Sequence, residues 1–405
     1  MATNSKIGTR TPVRVLPHKL KSVSQARKDI SDLKRAKALA LNAENPNNWA
    51  LQSLLNNIMD DAHLTSQVGN RKEQVFSSNY GIYLPDGKVD PKGSLWVQTS
   101  ETTPIFIETI LDSLYYGYSI AELNYSTDGQ LFAMDLPRMN AIPQKGIWLP
   151  DYHNQTEAIN YRELKEFGNW IFEFNKINLG KEYLGLLVKA IVHVLFKRFA
   201  QSCWSELCEI YGIPPRWMKT NTQDPAMLNR ADQMMKDMGA AAYFIIDETE
   251  ELQFAQGVNT NGDVYRNLMT VCNNEMSLLV SGAIIGQDTK YGSNNKDQSA
   301  QEMLWLKVQA DMRDVQTMYN TRIIPALVRH GILQEGSLFK FEKAEDINKL
   351  MEMVIKLLGY YDIDPAWIYD KFGIEVKDKK VLNADEASSQ NNRKLKAELP
   401  ANFFD

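Results

Sequence analysis

Cysteine is scarce in this 405-residue chain, which contains Cys203, Cys208 and Cys272 and no others. Three such widely placed cysteines cannot supply the disulfide framework of a small secreted protein. The five-residue offset between Cys203 and Cys208 also fits neither the C-x-x-C pattern nor the i, i+4 spacing of metal sites. We therefore expect reduced thiols, synthesis in a cytoplasm, and core positions for both of these residues.

Long hydrophobic runs are missing as well. The most apolar stretch, YLGLLVKAIVHVLFKRFA from Tyr183, is interrupted by Lys189, His193, Lys197 and Arg198. A helix that spans a bilayer needs about 20 predominantly apolar residues in succession. The first residues, MATNSKIGTRTPVRVLPHKLK, are polar and basic and lack the apolar segment of a secretory signal. The sequence predicts a soluble protein with no membrane partner.

Positive charge is in short supply over most of the chain, whose formal net charge is -5. Proteins that wrap nucleic acid neutralise many phosphates with Lys and Arg, so we expect any contact with DNA to be light or local. Residues 1–43 are the exception, because their ten Lys and Arg face two acids, Asp29 and Asp32. This basic arm is either a solvated tail or a segment that grips a neighbour or nucleic acid, and both interpretations stay open.

Two groups of residues could in principle bind a metal ion or a phosphate. The acidic residues Asp247, Glu248, Glu250 and Glu251 are candidate metal ligands, yet adjacent side chains diverge and no histidine lies near them in the sequence. A solvated hairpin tip is the simpler interpretation. The Gly-rich segment 286–296 lacks the G-K-[ST] ending of a phosphate-binding loop and the strand that should precede it. We therefore expect no cofactor, no metal ion and no enzymatic activity.

The first 180 residues predict an α+β domain. The stretch from Asn47 to about Tyr80 has helical periodicity. A second helix ends near Gly117 and leads into a strand over 119–125, a turn at 127–129 and a return strand. NWIFEFN, near Trp170, predicts a further strand.

A small module interrupts the helices that follow. Apolar residues recur with helical spacing from Leu184 to Tyr211, and Gly212 with two prolines ends that helix. RWMKT, AYFIID and ELQFAQ predict three strands around a short helix. Asp224 caps that helix, Pro225 starts it and Gly239 closes it. The pattern is a βαββ module over 213–258.

Two more long helices flank a polar loop. The first is predicted from Val264 to Ile285, and the second opens with a capping box at Ser299 and Glu302. We expect a kink at Pro325 and an end near Gly331. Near the C-terminus, Asp364-Pro365 marks the start of a helix that Gly373 closes.

This order of elements resembles the portal proteins of tailed bacteriophages, in particular the branch typified by phage Mu. Three stretches carry the resemblance: FKRFAQSCWSELCEIYGIPPRWMK over 196–219, LVSGAIIGQDTKYGSNNKDQSAQEM over 279–303, and DIDPAWIYDKFGIE over 362–375. The likeness extends over roughly residues 100 to 375. It implies a predominantly helical α+β fold with a wing, stem helices, an inserted βαββ clip, a tunnel loop and a long kinked tunnel helix.

The resemblance also implies a division of the chain. After the basic N-terminal arm over 1–45, which the likeness does not cover, the chain divides into a wing over 46–183, a first stem helix over 184–212, a clip over 213–258, a second stem helix over 259–286, a tunnel loop over 287–298, a tunnel helix that returns to the wing over 299–339, and a C-terminal helical region and tail over 340–405.

Two sets of candidate site residues follow from the same resemblance. The tunnel loop would face DNA through Gln287, Asp288, Thr289, Lys290, Tyr291, Gly292, Ser293, Asn294, Asn295, Lys296 and Asp297. The clip would contact neighbouring subunits through Pro214, Pro215, Arg216, Trp217, Tyr243 and Phe244. Lys290 and Lys296 are offset by Asp288 and Asp297, so the loop can touch DNA without holding its phosphates tightly.

The partners implied are those of a portal. Copies of the chain would close by heterologous contacts into a ring, a dodecamer in the family, at one capsid vertex of the virion. Double-stranded DNA would pass through the ring transiently, and the large terminase motor, the major capsid protein or scaffold, and neck or adaptor proteins would dock on it. Assembly is expected in the host bacterial cytoplasm. Two alternatives are a nucleic-acid-processing enzyme that uses the acidic clusters and a head-completion or scaffolding protein.

Overall fold

The computed structural model describes residue 16 and residues 30–126, 128–175, 184–212, 216–237, 243–250, 262–284, 294–342, 347–357, 363–372 and 374. The chain forms two compact units, residues 1–342 and 343–405. Within the described residues, helices predominate over short antiparallel sheets and one parallel strand pair. The fold is therefore α+β and mainly helical, as the sequence predicts.

Three helices open the first unit: α1 (Ile30–Ala40), α2 (Trp49–Ile58) and α3 (Ala62–Phe76). The single helical pattern predicted over 47–80 is thus split, because Asp61 has extended backbone angles and its carboxylate accepts the Leu64 N–H at 3.0 Å. That arrangement is a side-chain cap, which starts a new helix. The short strand β1 (Tyr80–Tyr83), which follows α3, was not predicted from the sequence.

The main sheet packs against the helix that precedes it, α5 (Thr102–Tyr116). This helix follows α4 (Pro91–Thr99) and ends at Gly117, whose φ of 90° explains why glycine stands there. Strands β2 (Tyr118–Tyr125) and β3 (Leu131–Asp135) form the predicted hairpin. Three two-residue strands pair antiparallel in a separate small sheet: β4 (Ala141–Ile142), β5 (Ile147–Trp148) and β6 (Ile159–Asn160). Strand β7 (Ile171–Asn175) completes the main sheet in the order β3-β2-β7.

The first long helix, α6, spans Leu187–Gly212 and so begins three residues after the predicted start. Gly185 accounts for the difference. Its φ is 92°, and a β-carbon there would overlap the backbone of Tyr115 and Tyr116. A residue in that conformation cannot continue a right-handed helix, and the close approach fixes α6 against the end of α5.

The predicted module is present as a βαβ unit. Strand β8 (Arg216–Thr220), helix α7 (Pro225–Asp237) and strand β9 (Tyr243–Asp247) follow one another, and the two strands pair in parallel. The Asp224 carboxylate accepts the Ala226 N–H at 2.9 Å, which is the predicted cap. Gly239 and the third predicted strand, ELQFAQ, lie outside the described residues.

The remaining long helices flank residues 285–293. Helix α8 spans Asp263–Ser281, and α9 spans Asn294–Met318. The prediction that Ser299 and Glu302 cap this helix is wrong, since both lie inside α9. Asn294, Asn295, Lys296 and Asp297 are accordingly helical and not part of a loop.

The sequence predicts a kink at Pro325, and the structure has a change of helix type just before this residue. A π-helical turn over Tyr319–Ile323 separates α9 from α10 (Ile324–Arg329), and Pro325 lies in the first turn of α10. Proline has no N–H to donate, so the preceding hydrogen-bond register must change. The segment ends at Gly331, with a φ of 72°. Strand β10 (Leu338–Phe341) then pairs antiparallel with β1.

The second unit contains two described helices, α11 (Ile347–Leu357) and α12 (Pro365–Phe372). The Asp364 carboxylate accepts the Ala366 N–H at 2.9 Å. This contact confirms Asp364-Pro365 as a helix start; Gly373 lies outside the described residues.

The described residues of the first unit form three apolar clusters. The first joins α5 and the main sheet to α9 and α10, the second joins α1–α3 to α6 and α8, and the third surrounds Trp148 and Tyr161. Cys272 is buried, but Cys203 is only half-buried and Cys208 is exposed. The core assignment of those two cysteines is wrong, because the last turns of α6 extend past the residues that cover its beginning.

Glu122 is a fully buried carboxyl group on β2. It accepts the N–H of Leu16 at 3.0 Å, which places one residue of the basic arm in the third cluster. Burial raises the pKa of Glu122 to about 7, and the Leu16 N–H opposes that rise. The folded chain therefore holds a proton that the unfolded chain releases at lower pH.

Replacing Glu122 with glutamine should change the pH dependence of stability. A raised folded-state pKa gives stability that is complete below the unfolded value and is lost as the pH rises through about 7. Glutamine cannot ionise, so E122Q should match the native chain near pH 5 and exceed its unfolding free energy by about 1–3 kcal/mol at pH 8. Urea unfolding at the two pH values measures this. The exposed E163Q is the control, and an equal effect of E122Q at both pH values would contradict the assignment.

Candidate functional site

The two long helices α6 and α8 pack side by side and share a core at one end. Leu187, Ile191 and Val194 of α6 lie in the second cluster with Met276 and Val280 of α8. The chain passes from α6 through the βαβ unit and returns along α8, so the unit is carried between the two helices.

Polar contacts anchor this helix pair to α2 and α3. Lys197 of α6 lies 2.8 Å from the carboxylate of Asp61, and both side chains are largely buried. Arg198 donates to the side chain and the backbone carbonyl of Asn57 at 2.7 Å each. Breaking any of these contacts would leave a charged group with fewer partners, which is unfavourable. The contacts therefore fix the orientation of the helix pair at the end that lies against α2 and α3.

His63 makes a further contact between α3 and α8. Its Nε2 lies 3.0 Å from the carbonyl of Asn273 and 2.8 Å from Ser277 Oγ. A carbonyl can only accept a hydrogen bond, so Nε2 carries the proton. Burial, and then the charge of Lys197, lower the pKa of His63 below its ordinary value. The ring is therefore neutral in the folded protein near pH 7.

The far end of the helix pair is held by a close approach. Gly262, with a φ of 75°, precedes α8, and a β-carbon there would lie 2.8 Å from Trp204 Nε1 on α6. Along the two helices and in the first half of α9, many large apolar side chains are exposed. These are Phe196, Phe199, Val264, Leu268, Val271, Leu278, Met303 and Leu306. Such a series is unusual on the surface of a monomer.

Four of the six predicted clip residues lie on the paired strands. Arg216 is opposite Tyr243 and Trp217 is opposite Phe244 in the parallel register, and Trp217 is 44% exposed. Pro214 and Pro215 lie outside the described residues. The structure thus brings the two halves of this predicted set together, although they are separated by a helix in the sequence.

The acidic residue Asp247 at the end of β9 has a structural role. Its carboxylate accepts the N–H and hydroxyl of Thr222, at 3.1 and 2.6 Å, and those of Thr249, at 3.1 and 2.7 Å. The hydrogen bonds from Thr222 and then Thr249 hold the pKa of Asp247 well below its usual range. Within the described ranges there is no group of three or more His, Cys, Asp or Glu side chains placed to hold a metal ion. No helix in that part of the chain is long and apolar enough to cross a bilayer.

The predicted tunnel-loop residues fall into two groups. Gln287, Asp288, Thr289, Lys290, Tyr291, Gly292 and Ser293 lie outside the described residues. Asn294, Asn295, Lys296 and Asp297 form the first turn of α9. These four residues are helical, whereas the sequence predicted a loop there.

A buried ion pair holds the helices on both sides of this segment. Arg71 of α3 donates to Asp311 of α9 through Nε at 2.6 Å and Nη2 at 2.7 Å. Its Nη1 donates to the carbonyl of Val280, in the last turn of α8, at 2.6 Å. Ser281 also donates to Gln67 of α3 at 2.7 Å. Helix α3 thus fixes the end of α8 and the position of α9. Sequence reasoning missed the ion pair because Arg71 and Asp311 are far apart in the chain.

A basic pocket of about 820 Å³ opens beside β7. Its lining combines four cationic side chains with one carboxylate, Glu173. The cations are Arg162, Lys165, Arg322 and Arg329. Sequence reasoning did not identify this pocket, since its residues come from two regions of the chain with no local spacing pattern.

Comparison with known proteins shows which family the chain belongs to. The family model described as the portal protein of Mu bacteriophage matches residues 52–374. That match covers most of the chain, which therefore belongs to the Mu-type portal family, a family of bacteriophage structural proteins. A curated relative, the portal protein of Escherichia phage Mu, is 23% identical over 374 residues, which cover 84% of this chain and 70% of the relative.

Proposed function

We propose that the chain is a non-enzymatic portal subunit that assembles into a ring and forms the DNA conduit at one capsid vertex. The observation that supports this most is the pair α6 and α8, which is anchored at one end, carries the βαβ unit at the other, and exposes apolar side chains along its length. Repeated around an axis, such pairs bury these side chains against neighbours by heterologous contacts.

The proposal assigns a role to each part of the chain. Helices α6 and α8 are the stem, the βαβ unit is the clip, α9 with α10 is the tunnel helix, and residues 287–293 form the tunnel loop that faces passing DNA. Membership of the portal family supports these roles. The ring would serve genome packaging and ejection. It would dock the packaging motor at one stage and neck proteins at a later one, and it would contact the capsid or scaffold proteins during assembly in the host cytoplasm. A dodecamer is the expected ring.

Charge on the stem should prevent the ring from forming. Phe199 is 53% exposed and Val264 is 70% exposed, so glutamate at both positions should leave the folded subunit intact but place carboxylates in the subunit contacts. Negative-stain images and light scattering should show rings for the native chain and 46.2 kDa subunits for the double variant.

The matched control is Leu95→Glu, an exposed apolar position on α4 that is 62% exposed. This variant should still form rings. A native chain that stays monomeric at micromolar concentration over a range of salt would refute the portal proposal, and rings of normal size from the double variant would refute the stem contact.

The clip has its own test. Deleting residues 216–256 and joining the ends with a short Gly linker should abolish stable rings or motor docking, because strands β8 and β9 would no longer be present to pair with a neighbour. Rings that package DNA normally without these residues would show that the clip assignment is wrong.

A further inference from the structure

The basic pocket beside β7 carries more positive than negative charge. The carboxylate in its lining, Glu173, accepts two hydrogen bonds from Arg162 at 2.7 and 2.8 Å, so these two charges neutralise each other. The other cations of the lining are Lys165, Arg322 and Arg329. Within the part of the chain that the structure describes, none of these three makes an ion pair with a carboxylate. The pocket therefore presents three cations without a matching acid.

Arg322 is the most enclosed of the three. It lies half-buried on the π-helical turn, and its guanidinium is 5.9 Å from the ring centre of Phe174. It has no hydrogen-bond acceptor among the described residues. Burial lowers its pKa from the ordinary arginine value. A half-buried cation without an acceptor is costly, and an anion bound in the pocket would supply that acceptor.

The wall of the pocket opposite Arg322 is fixed by hydrogen bonds of its own. The loop before β7 folds back on the strand, since the Gly168 N–H donates to the carbonyl of Ile171 at 2.9 Å. Arg329 reaches this loop from α10: its Nε donates to Asn169 Oδ1 at 3.0 Å and its Nη2 to the carbonyl of Gly168. Both acceptors are neutral, and Nη1 of Arg329 has no acceptor among the described residues. The pocket is thus formed without a ligand, as binding sites for small molecules usually are.

The size and charge of the pocket indicate the class of ligand. Its volume of about 820 Å³ is that of a site for a small molecule. A single phosphate group carries a charge of about -1.5 to -2 at pH 7, which is less than three cations require. Two linked phosphate groups supply more charge and more acceptor oxygens, and arginine binds such oxygens with two N–H groups at once. Duplex DNA presents its phosphates on a convex surface, so it would reach the exposed Lys165 and Arg329 but not the half-buried Arg322.

We propose that the basic pocket is a binding site for a small soluble ligand with two or more linked phosphate groups. The phosphate oxygens accept hydrogen bonds from Arg322 and Arg329, and Lys165 adds a positive charge at the rim. Arg322 and Arg329 belong to the segment that follows α9, whereas Lys165 belongs to the loop before β7. The bound ligand therefore joins this loop to the π-helical turn and α10, and it stabilises the folded subunit.

Pyrophosphate is the probe for this site. It is titrated into the full-length protein at constant ionic strength, with heat of binding and thermal unfolding as the two measurements. We expect saturable binding of one pyrophosphate per subunit, a Tm that rises with pyrophosphate concentration, and affinity for inorganic phosphate at least about tenfold weaker. Arg322→Met should weaken pyrophosphate binding at least about tenfold, because charge-assisted hydrogen bonds are lost. Without ligand, the Tm of this variant should equal or exceed that of the native chain, since a half-buried cation is removed.

Two further variants make the test independent of any effect of Arg322→Met on folding. Lys165→Gln changes an exposed side chain of the pocket and should weaken pyrophosphate binding about threefold. Lys92→Gln, at an exposed position outside the pocket, is the matched control and should leave the affinity unchanged.

Three outcomes would overturn the proposal. The first is a native chain that shows no saturable pyrophosphate binding, and the second is equal affinity of the native chain and either pocket variant. The third is displacement of pyrophosphate by a short DNA duplex at equal phosphate concentration, which would make the pocket a nucleic-acid contact. The titration does not require rings, so a chain that fails to assemble would refute the portal proposal and leave this test unaffected.

Discussion

Asp311→Ala is expected to destabilise the folded chain by about 3–5 kcal/mol, the usual effect of removing one partner of a buried ion pair. The side chains of Arg71 and Asp311 are 6% and 3% exposed, and two hydrogen bonds of 2.6 and 2.7 Å join them. Alanine would leave the guanidinium of Arg71 buried with the carbonyl of Val280 as its remaining acceptor among these contacts. Urea unfolding at a fixed protein concentration measures the loss.

Two comparisons separate this effect from a general sensitivity to aspartate removal. Asp232→Ala removes the exposed partner of Lys236 on α7, and it should change the unfolding free energy by less than about 1 kcal/mol. Arg71→Met combined with Asp311→Leu should recover much of the loss, because no unpaired charge remains. If Asp311→Ala were no worse than Asp232→Ala, the pair would not be holding α8 and α9 in place.

The ends of helices were predictable because their causes are local. Gly117, Asp224-Pro225, Gly331 and Asp364-Pro365 act through backbone angles or hydrogen bonds within three residues, and each marks a real boundary. Ser299 with Glu302 misled for the same reason: the motif fits a cap, but α9 already starts at Asn294. A local motif shows only that a residue is able to cap a helix. Whether it does so depends on where the helix begins.

Contacts between distant residues were not predictable. The pairing of β1 with β10 joins Tyr80 to Phe341, and the Arg71–Asp311 ion pair spans 240 positions. The basic pocket combines Arg162 with Arg322, which likewise come together only through the fold. Single-sequence periodicity carries no signal for such pairs. Local patterns supplied the order of elements, and the resemblance of this order to portal proteins suggested their roles. The side-chain contacts that fix the helices and form the pocket required coordinates.

The tunnel-loop proposal predicts a packaging defect when the loop becomes more basic. Gln287→Lys combined with Asp288→Lys would give four cationic side chains per subunit with Lys290 and Lys296. Repetition around a ring would multiply their hold on phosphates. Asp297 is left unchanged because it lies in the first turn of α9, where a negative charge favours the helix. We expect normal ring assembly, stability within about 0.5 kcal/mol of the native chain, and slowed or incomplete genome packaging.

The matched control carries the same two kinds of substitution in the exposed turn between β2 and β3. Asp128→Lys and Gln130→Lys lie between β2 and β3, where both residues are exposed, and they should leave packaging unchanged. The measurement is the length of packaged DNA in phage carrying either double variant, together with the salt needed to release DNA from the purified rings. If residues 287–293 line the channel, the basic loop variant should need more salt to release DNA and should package a shorter genome. Each added cation must release its phosphate as the duplex advances. Full-length genomes at equal yield from both variants would place residues 287–293 away from the path of DNA.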